Sequence, residues 1–138
     1  MASLLPNSVF NDLAANNIDF GTGTYKVMLC TSAYTPAKTN AKRSDVTNEV
    51  TGTGYTAGGN TVTLTPAAID NTNNREDVAL AGTTWPSSTI TARYAVYYKA
   101  NGGAATADQL VAVVDFGADV ASSSGTFTLN ASTLRFQN

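Results

Sequence analysis

Histidine is absent from the 138 residues, and cysteine occurs once, at Cys30. Without an imidazole there is no Ser-His-Asp triad, no histidine metal ligand and no side chain that ordinarily titrates near neutral pH. A single cysteine excludes an intrachain disulfide, a cysteine-cluster zinc site and an iron–sulfur cluster. Charge is sparse: Asp, Glu, Lys and Arg make up 13% of the chain, with a net charge of -2. Eight scattered cations against ten carboxylates do not form a nucleic-acid surface. Glutamate occurs only at Glu49 and Glu76, so charged helix formers are few. No apolar run nears the roughly 20 residues of a membrane span. The opening Met1-Ala-Ser-Leu-Leu-Pro6 has no basic stretch and too short an apolar run for a signal peptide. The expectation is a protein made in a reducing cytoplasm, with no cofactor and no catalytic machinery.

What is abundant is small and polar. Counted along the sequence, 21 Thr, 10 Ser, 13 Asn and 11 Gly supply 55 of the 138 residues. These residues suit turns and the outward faces of strands. A chain of this length forms one domain, and it buries about two-thirds of its unfolded surface without a metal or a disulfide.

The pattern along the chain predicts an N-terminal arm over 1–7, ended by Pro6, and a single domain over 8–138. Ser8 to Asn16 predicts a short helix, with Ser8 as N-cap and Val9, Phe10, Leu13 and Ala14 on one face. Asn16-Asn17 ends it, because asparagine tolerates the left-handed conformation. Thr24–Thr31 predicts a strand apolar on both faces, as in the interior of a sheet. Residues 32–59 predict a long irregular loop, and a loop of that length is usually functional or ordered only when bound. Thr61–Thr65, Val78–Ala81, Ile90–Lys99 and Leu110–Phe116 predict further strands, the last two as a hairpin. In Thr126–Phe136 the apolar parity switches: Phe127, Leu129 and Ala131 share one parity, Leu134 and Phe136 the other. A bulge, or a strand passing from one sheet to another, produces such a switch. Together these elements predict an all-β fold: an antiparallel two-sheet sandwich of jelly-roll or Greek-key type, with a short N-terminal helix and arm.

Few residues are candidates for chemistry. Asp115 and Asp119 pair carboxylates as a glycosidase does, but without sugar-stacking aromatics beside them they read as a strand-end cap. Asp70-Asn-Thr-Asn-Asn-Arg75 has Thr and Arg where a calcium loop wants an acidic or amide group and glycine, so it reads as a solvated turn. Gly52, Gly54, Gly58 and Gly59 lack the lysine and the strand–loop–helix setting of a phosphate loop. Cys30 reads as a small buried hydrophobe. Lys38, Lys42 and Arg43 form the one basic cluster, either a solvated loop or a dock for an acidic patch. On the Ile90–Lys99 strand, Tyr94 and Tyr98 face the core. Tyr97 shares the opposite face with Arg93 and is a candidate for an exposed interface. Trp85, before Pro86 in a loop, is either a folded-over loop residue or an exposed aromatic platform for a glycan.

Residues 20–59 carry a resemblance. A Gly-Thr-Gly turn leads into Tyr25-Lys-Val-Met-Leu29, and Arg43-Ser-Asp-Val-Thr-Asn-Glu-Val-Thr-Gly-Thr-Gly-Tyr-Thr-Ala-Gly-Gly59 follows. This resembles small virion structural proteins of tailed bacteriophages, which share such a strand and a DxTNEVxGTGYxAGG-like segment. Strand order and the close Leu134-Arg-Phe136 extend the likeness more loosely. Size and the lack of catalytic residues look most like a head decoration, or cement, protein. The resemblance implies a jelly-roll sandwich on the outer surface of the capsid, made in the host cytoplasm. It implies contact with the major capsid protein and self-association as a dimer or trimer, with no nucleic acid or membrane partner. The expected contact residues are Leu4, Leu5, Phe10, Lys38, Lys42, Arg43, Tyr55, Trp85 and Tyr97. Two other readings stand beside it: a tail or tail-fibre component, and a carbohydrate-binding β-sandwich module.

Overall fold

A computed structural model describes residues 3–138. One helix, α1 (Ser8–Ala14), precedes nine strands: β1 (Thr24–Cys30), β2 (Asn60–Val62), β3 (Leu64–Pro66), β4 (Arg75–Leu80), β5 (Thr83–Ser88), β6 (Thr91–Ala100), β7 (Gln109–Ala121), β8 (Gly125–Leu129) and β9 (Ser132–Gln137). The fold is an all-β antiparallel sandwich with a short helix. One layer has the order β2-β1-β6-β7; the other comprises β3-β4-β9 and β5-β8.

The second layer is one bent ribbon. Arg75 pairs with Gln137, Leu80 with Ser132, Thr83 with Leu129 and Trp85 with Phe127, so a single register runs through both of its sheets. Between them, at 81–82 and 130–131, both strands change which parity faces inward: Val78, Leu80 and Leu134 on one side, Trp85, Phe127 and Leu129 on the other. The parity switch seen in the sequence is thus a strand passing between sheets. Gly82 sits at the crossing, where a Cβ would lie 2.1 Å from the Leu129 carbonyl oxygen, so no larger residue fits without backbone movement.

β1 alternates between two cores. Tyr25, Val27 and Leu29 face the ribbon with Leu80, Trp85, Tyr97 and Phe127. Met28 and Cys30 face the other way, with Tyr94, Val96, Tyr98 and Leu110. That outer face would be wet in a plain two-layer sandwich, but the 32–50 segment covers it with Tyr34 and Val46. Both faces of β1 are therefore apolar for a structural reason. The long loop differs from the expected free extension. It is a third covering layer, tied by Thr31 N–H to Asn48 O at 3.0 Å and Val50 N–H to Leu29 O at 2.9 Å.

The arm is docked as well. Leu4 exchanges two backbone hydrogen bonds with Val113 on edge strand β7, at 2.9 and 3.0 Å. Met1 and Ala2, the start of the predicted arm, lie outside the described residues. Ser8 is not the helix cap. Asn7 holds that position, and the entry is fixed by Asn7 N–H to Lys38 O at 2.9 Å. Asn16 takes the left-handed conformation at the helix end, with φ 57°. The helix buries Val9 and Asp12 and turns Phe10 outward. Asp12 is held by Asn17, whose side-chain amide donates to Oδ1 at 3.1 Å, and this fixes the rotation.

Thr61–Thr65 is two strands. The chain crosses layers at Thr63, which lets Val62 and Leu64 both point into the core. The Trp85-Pro86 segment is strand β5 and not a loop; Pro86 is tolerated in a two-stranded sheet with a register shift after Trp85.

Candidate functional site

The motif-bearing segment 45–59 forms a staple. Tyr55 accepts the Leu29 N–H at 2.9 Å and donates its hydroxyl to Glu49 Oε1 at 2.8 Å. The same Glu49 oxygen takes the Gly58 N–H at 2.6 Å, and Tyr98 donates to Gly58 O at 2.7 Å. Gly59 lies so close to β1 that a Cβ would stand 1.9 Å from Val27 O. The spacing of Glu49, Tyr55, Gly58 and Gly59 is thereby explained by docking onto β1. Tyr55 uses its hydroxyl internally and rests its ring on Trp85, centroids 5.9 Å apart. Burial drives its pKa far above the ordinary tyrosine range.

Several sequence candidates are withdrawn from the surface. Tyr97 is fully buried and donates to Ala81 O at 3.0 Å; its face of β6 is the one that meets the ribbon. Trp85 is 2% exposed, packed between Tyr55 and Phe127, so it offers no platform for a glycan. Arg43 is committed to Asp108, Nε to Oδ2 at 2.7 Å, with its guanidinium 5.3 Å from the centre of the Tyr98 ring. Of the basic cluster only Lys38 and Lys42 stay clear of ion pairs among the described residues; Lys38 is exposed and Lys42 half-buried. The carboxylate candidates are engaged too. Arg93 grips Asp115 at 2.6 and 3.4 Å, which holds that carboxyl well below its usual range, and Asp119 takes the Ser32 hydroxyl at 3.5 Å. Asp70 is occupied by the Thr72 and Asn73 N–H groups and by Arg75 at 3.2 Å. Cys30 is buried, and burial, with Glu49 nearby, pushes its thiol up to about 12.

Leu4, Leu5 and Phe10 are brought to one side of the molecule. Three grooves follow one another there, where β7 faces β8 and β9. The largest, about 750 Å³, lies between α1 and the ends of β4 and β9; Leu5, Phe10, Ile69, Glu76 and Phe136 are among its walls. A second, about 350 Å³, shares Leu5 with the first, and a third, about 340 Å³, shares Val114 and Ser132 with the second. Phe10 is 59% exposed, Ile69 72% and Val120 42%, and each lines one of these grooves. Phe10 meets Phe136 edge-on, with centroids 6.3 Å apart. Phe10, Ile69 and Val120 are thus the large apolar side chains that the described residues leave exposed.

One charge on this side is out of balance. Nine of the ten carboxylates accept a hydrogen bond: Asp12, Asp19, Asp45, Glu49, Asp70, Asp77, Asp108, Asp115 and Asp119. Among the described residues Glu76 accepts none, and its Oε2 is buried without a partner in the wall of the largest groove. Of its neighbours, Arg135 binds Asp77 at 2.8 and 3.0 Å, and Arg75 is ion-paired with Asp70 at 3.2 Å although its Nε makes no hydrogen bond.

Ile69, Glu76, Val120 and Phe136 were not singled out from the sequence. Ile69 sits alone before a polar turn, and Glu76 is one of only two glutamates, which are the signals that point to them. Comparison with known proteins finds no matching family model, curated sequence or solved structure.

Proposed function

We propose that this chain is a structural virion protein of a tailed bacteriophage. In this reading it is a head decoration protein that binds the major capsid protein lattice from outside and works by adhesion, not catalysis. The observation that carries the reading is the grooved apolar side bearing Phe10, Ile69 and Val120 on an otherwise closed sandwich. The phage-like segment 43–59 adds to it, because its residues build the staple that keeps the sandwich rigid. A packed head is a shell under internal pressure. A protein that binds only the assembled lattice stabilises it by linkage, and a rigid binder loses little entropy on docking.

The test is binding of the purified protein to expanded, DNA-filled heads and to isolated tails of the same phage. Expected are saturable binding to heads, none to tails, and at least about a tenfold loss of head affinity in Phe10→Asp/Ile69→Asp. Binding to tails alone favours the tail-component reading. Binding to neither ends both.

A further inference from the structure

We propose that the groove between α1 and β9 is specific for a partner segment that places a lysine or arginine beside a large apolar residue. The apolar side chain lies against Phe10, Ile69 and Phe136, and the cation meets Glu76. The proposal rests on the reading of this side as a docking surface and adds the chemistry of what docks.

The groove supplies both halves of the recognition. Phe10 and Ile69 are the two most exposed large apolar side chains among the described residues, and they line the same groove. Phe136, half-buried, sits edge-on to Phe10 and closes the apolar wall. Glu76 is the cross-strand partner of Phe136, so the carboxylate and the aromatic ring share one face of the ribbon. A carboxylate oxygen buried with no donor is costly to a folded protein. The local arginines do not bond it: Arg135 pairs with Asp77, and Arg75, whose Nε makes no hydrogen bond, has its charge balanced by Asp70 and Asp77. An incoming cation is the group that satisfies it, and removal of the charge from water by the apolar walls strengthens the contact.

A second copy of this chain fits poorly. Lys26, Lys38 and Lys42 are the cations with neither an ion pair nor a hydrogen bond among the described residues. None stands next in sequence to Phe10, Ile69 or Val120, the exposed large apolar residues. The occupant proposed is a different protein.

The probes are two blocked peptides, acetyl-Leu-Lys-Phe-amide and acetyl-Leu-Glu-Phe-amide, titrated into the full-length protein with backbone amide NMR as the readout. The lysine peptide is expected to bind in the millimolar range, as a three-residue ligand does, and to move amide signals of 69–76 and 134–138. The glutamate peptide is expected to move them at least about tenfold less at equal concentration, a difference of about 1.4 kcal/mol. Glu76→Gln is expected to erase the difference between peptides, and Ile69→Ser to weaken both while leaving the rest of the spectrum unchanged. Equal affinity for the two peptides, no localised response, or an undiminished preference in Glu76→Gln overturns the proposal. So does a concentration-dependent dimer that Glu76→Gln dissolves, since the occupant is then a second copy. The titration uses free protein, so failure to bind heads with the peptide preference intact counts against the virion reading alone.

Discussion

Tyr55 donates its hydroxyl to Glu49 at 2.8 Å while accepting the Leu29 N–H at 2.9 Å, so one phenol joins the 45–59 segment to β1. Tyr55→Phe keeps the ring on Trp85 but leaves Leu29 N–H and Glu49 each short of a partner. A loss of about 1–3 kcal/mol is expected. Glu49→Gln weakens the same network and also disturbs Gly58 N–H. Urea denaturation of the two single variants and the double variant should give a combined cost smaller than the sum. Simple additivity would mean that the two residues act separately.

Two glycines lie where the backbone passes closest to a neighbouring segment. Gly59→Ala puts a methyl group into Val27 O, and Gly82→Ala puts one into Leu129 O. Gly59 also has φ 69°, which strains any other residue. Each substitution is expected to cost more than about 3 kcal/mol or to prevent folding. Gly125→Ala, whose Cβ meets its nearest neighbour at 3.6 Å, is expected to stay within about 1 kcal/mol of the parent. Melting temperatures of the three variants check this; a Gly82→Ala protein as stable as Gly125→Ala would refute the close-contact account.

The alternation of β1, the β6–β7 hairpin and the parity switch at the chain's end were all legible, because period-two burial and a change of sheet leave a direct trace in side-chain order. The 32–50 layer was not legible. Its apolar residues, such as the buried Tyr34 and Val50 and the half-buried Val46, are spaced irregularly among small polar neighbours, so composition made it look like a free loop. Trp85 was misplaced because Pro86 ordinarily argues against a strand. Phe10 and Leu5 stand out in the sequence as apolar residues near its start, and both line the largest groove. Glu76 was not legible, since its importance lies in lacking a partner, which only packing reveals.

Four buried tyrosines predict an alkaline limit to stability. Burial, the largest cause in each, pushes Tyr25, Tyr34, Tyr97 and Tyr98 up to about 12. In the unfolded chain a tyrosine ionises near about 10. The folded state disfavours the phenolate, so this stability is fully present below about pH 10 and is lost as pH rises toward 12. Absorbance at the phenolate band should show these four ionising with unfolding, and at the ordinary tyrosine pH in guanidinium chloride. Full titration near pH 10 with the fold intact would contradict their burial.

The Arg93–Asp115 pair predicts the acid limb. Asp115 is 2% exposed and Arg93 21% exposed in this contact, so solvent screens it only in part. Arg93, the principal cause, lowers the Asp115 pKa in the folded state. A lowered folded pKa means that the contribution is present above the unfolded carboxyl value, near about 3.9, and is lost as pH falls through the folded value. Arg93→Ala removes the guanidinium that holds Asp115 and is expected to lower stability at pH 7. Asp115→Asn removes the titrating group. Its stability should therefore fall less steeply than the parent's between about pH 5 and pH 2. Asp77, lowered by Arg135, and Asp45, lowered by the Ala41 and Lys42 N–H groups, keep a residual slope in that variant. Denaturant midpoints measured across this range decide it: an Asp115→Asn acid limb that superimposes on the parent's would show that the pair adds nothing to acid stability.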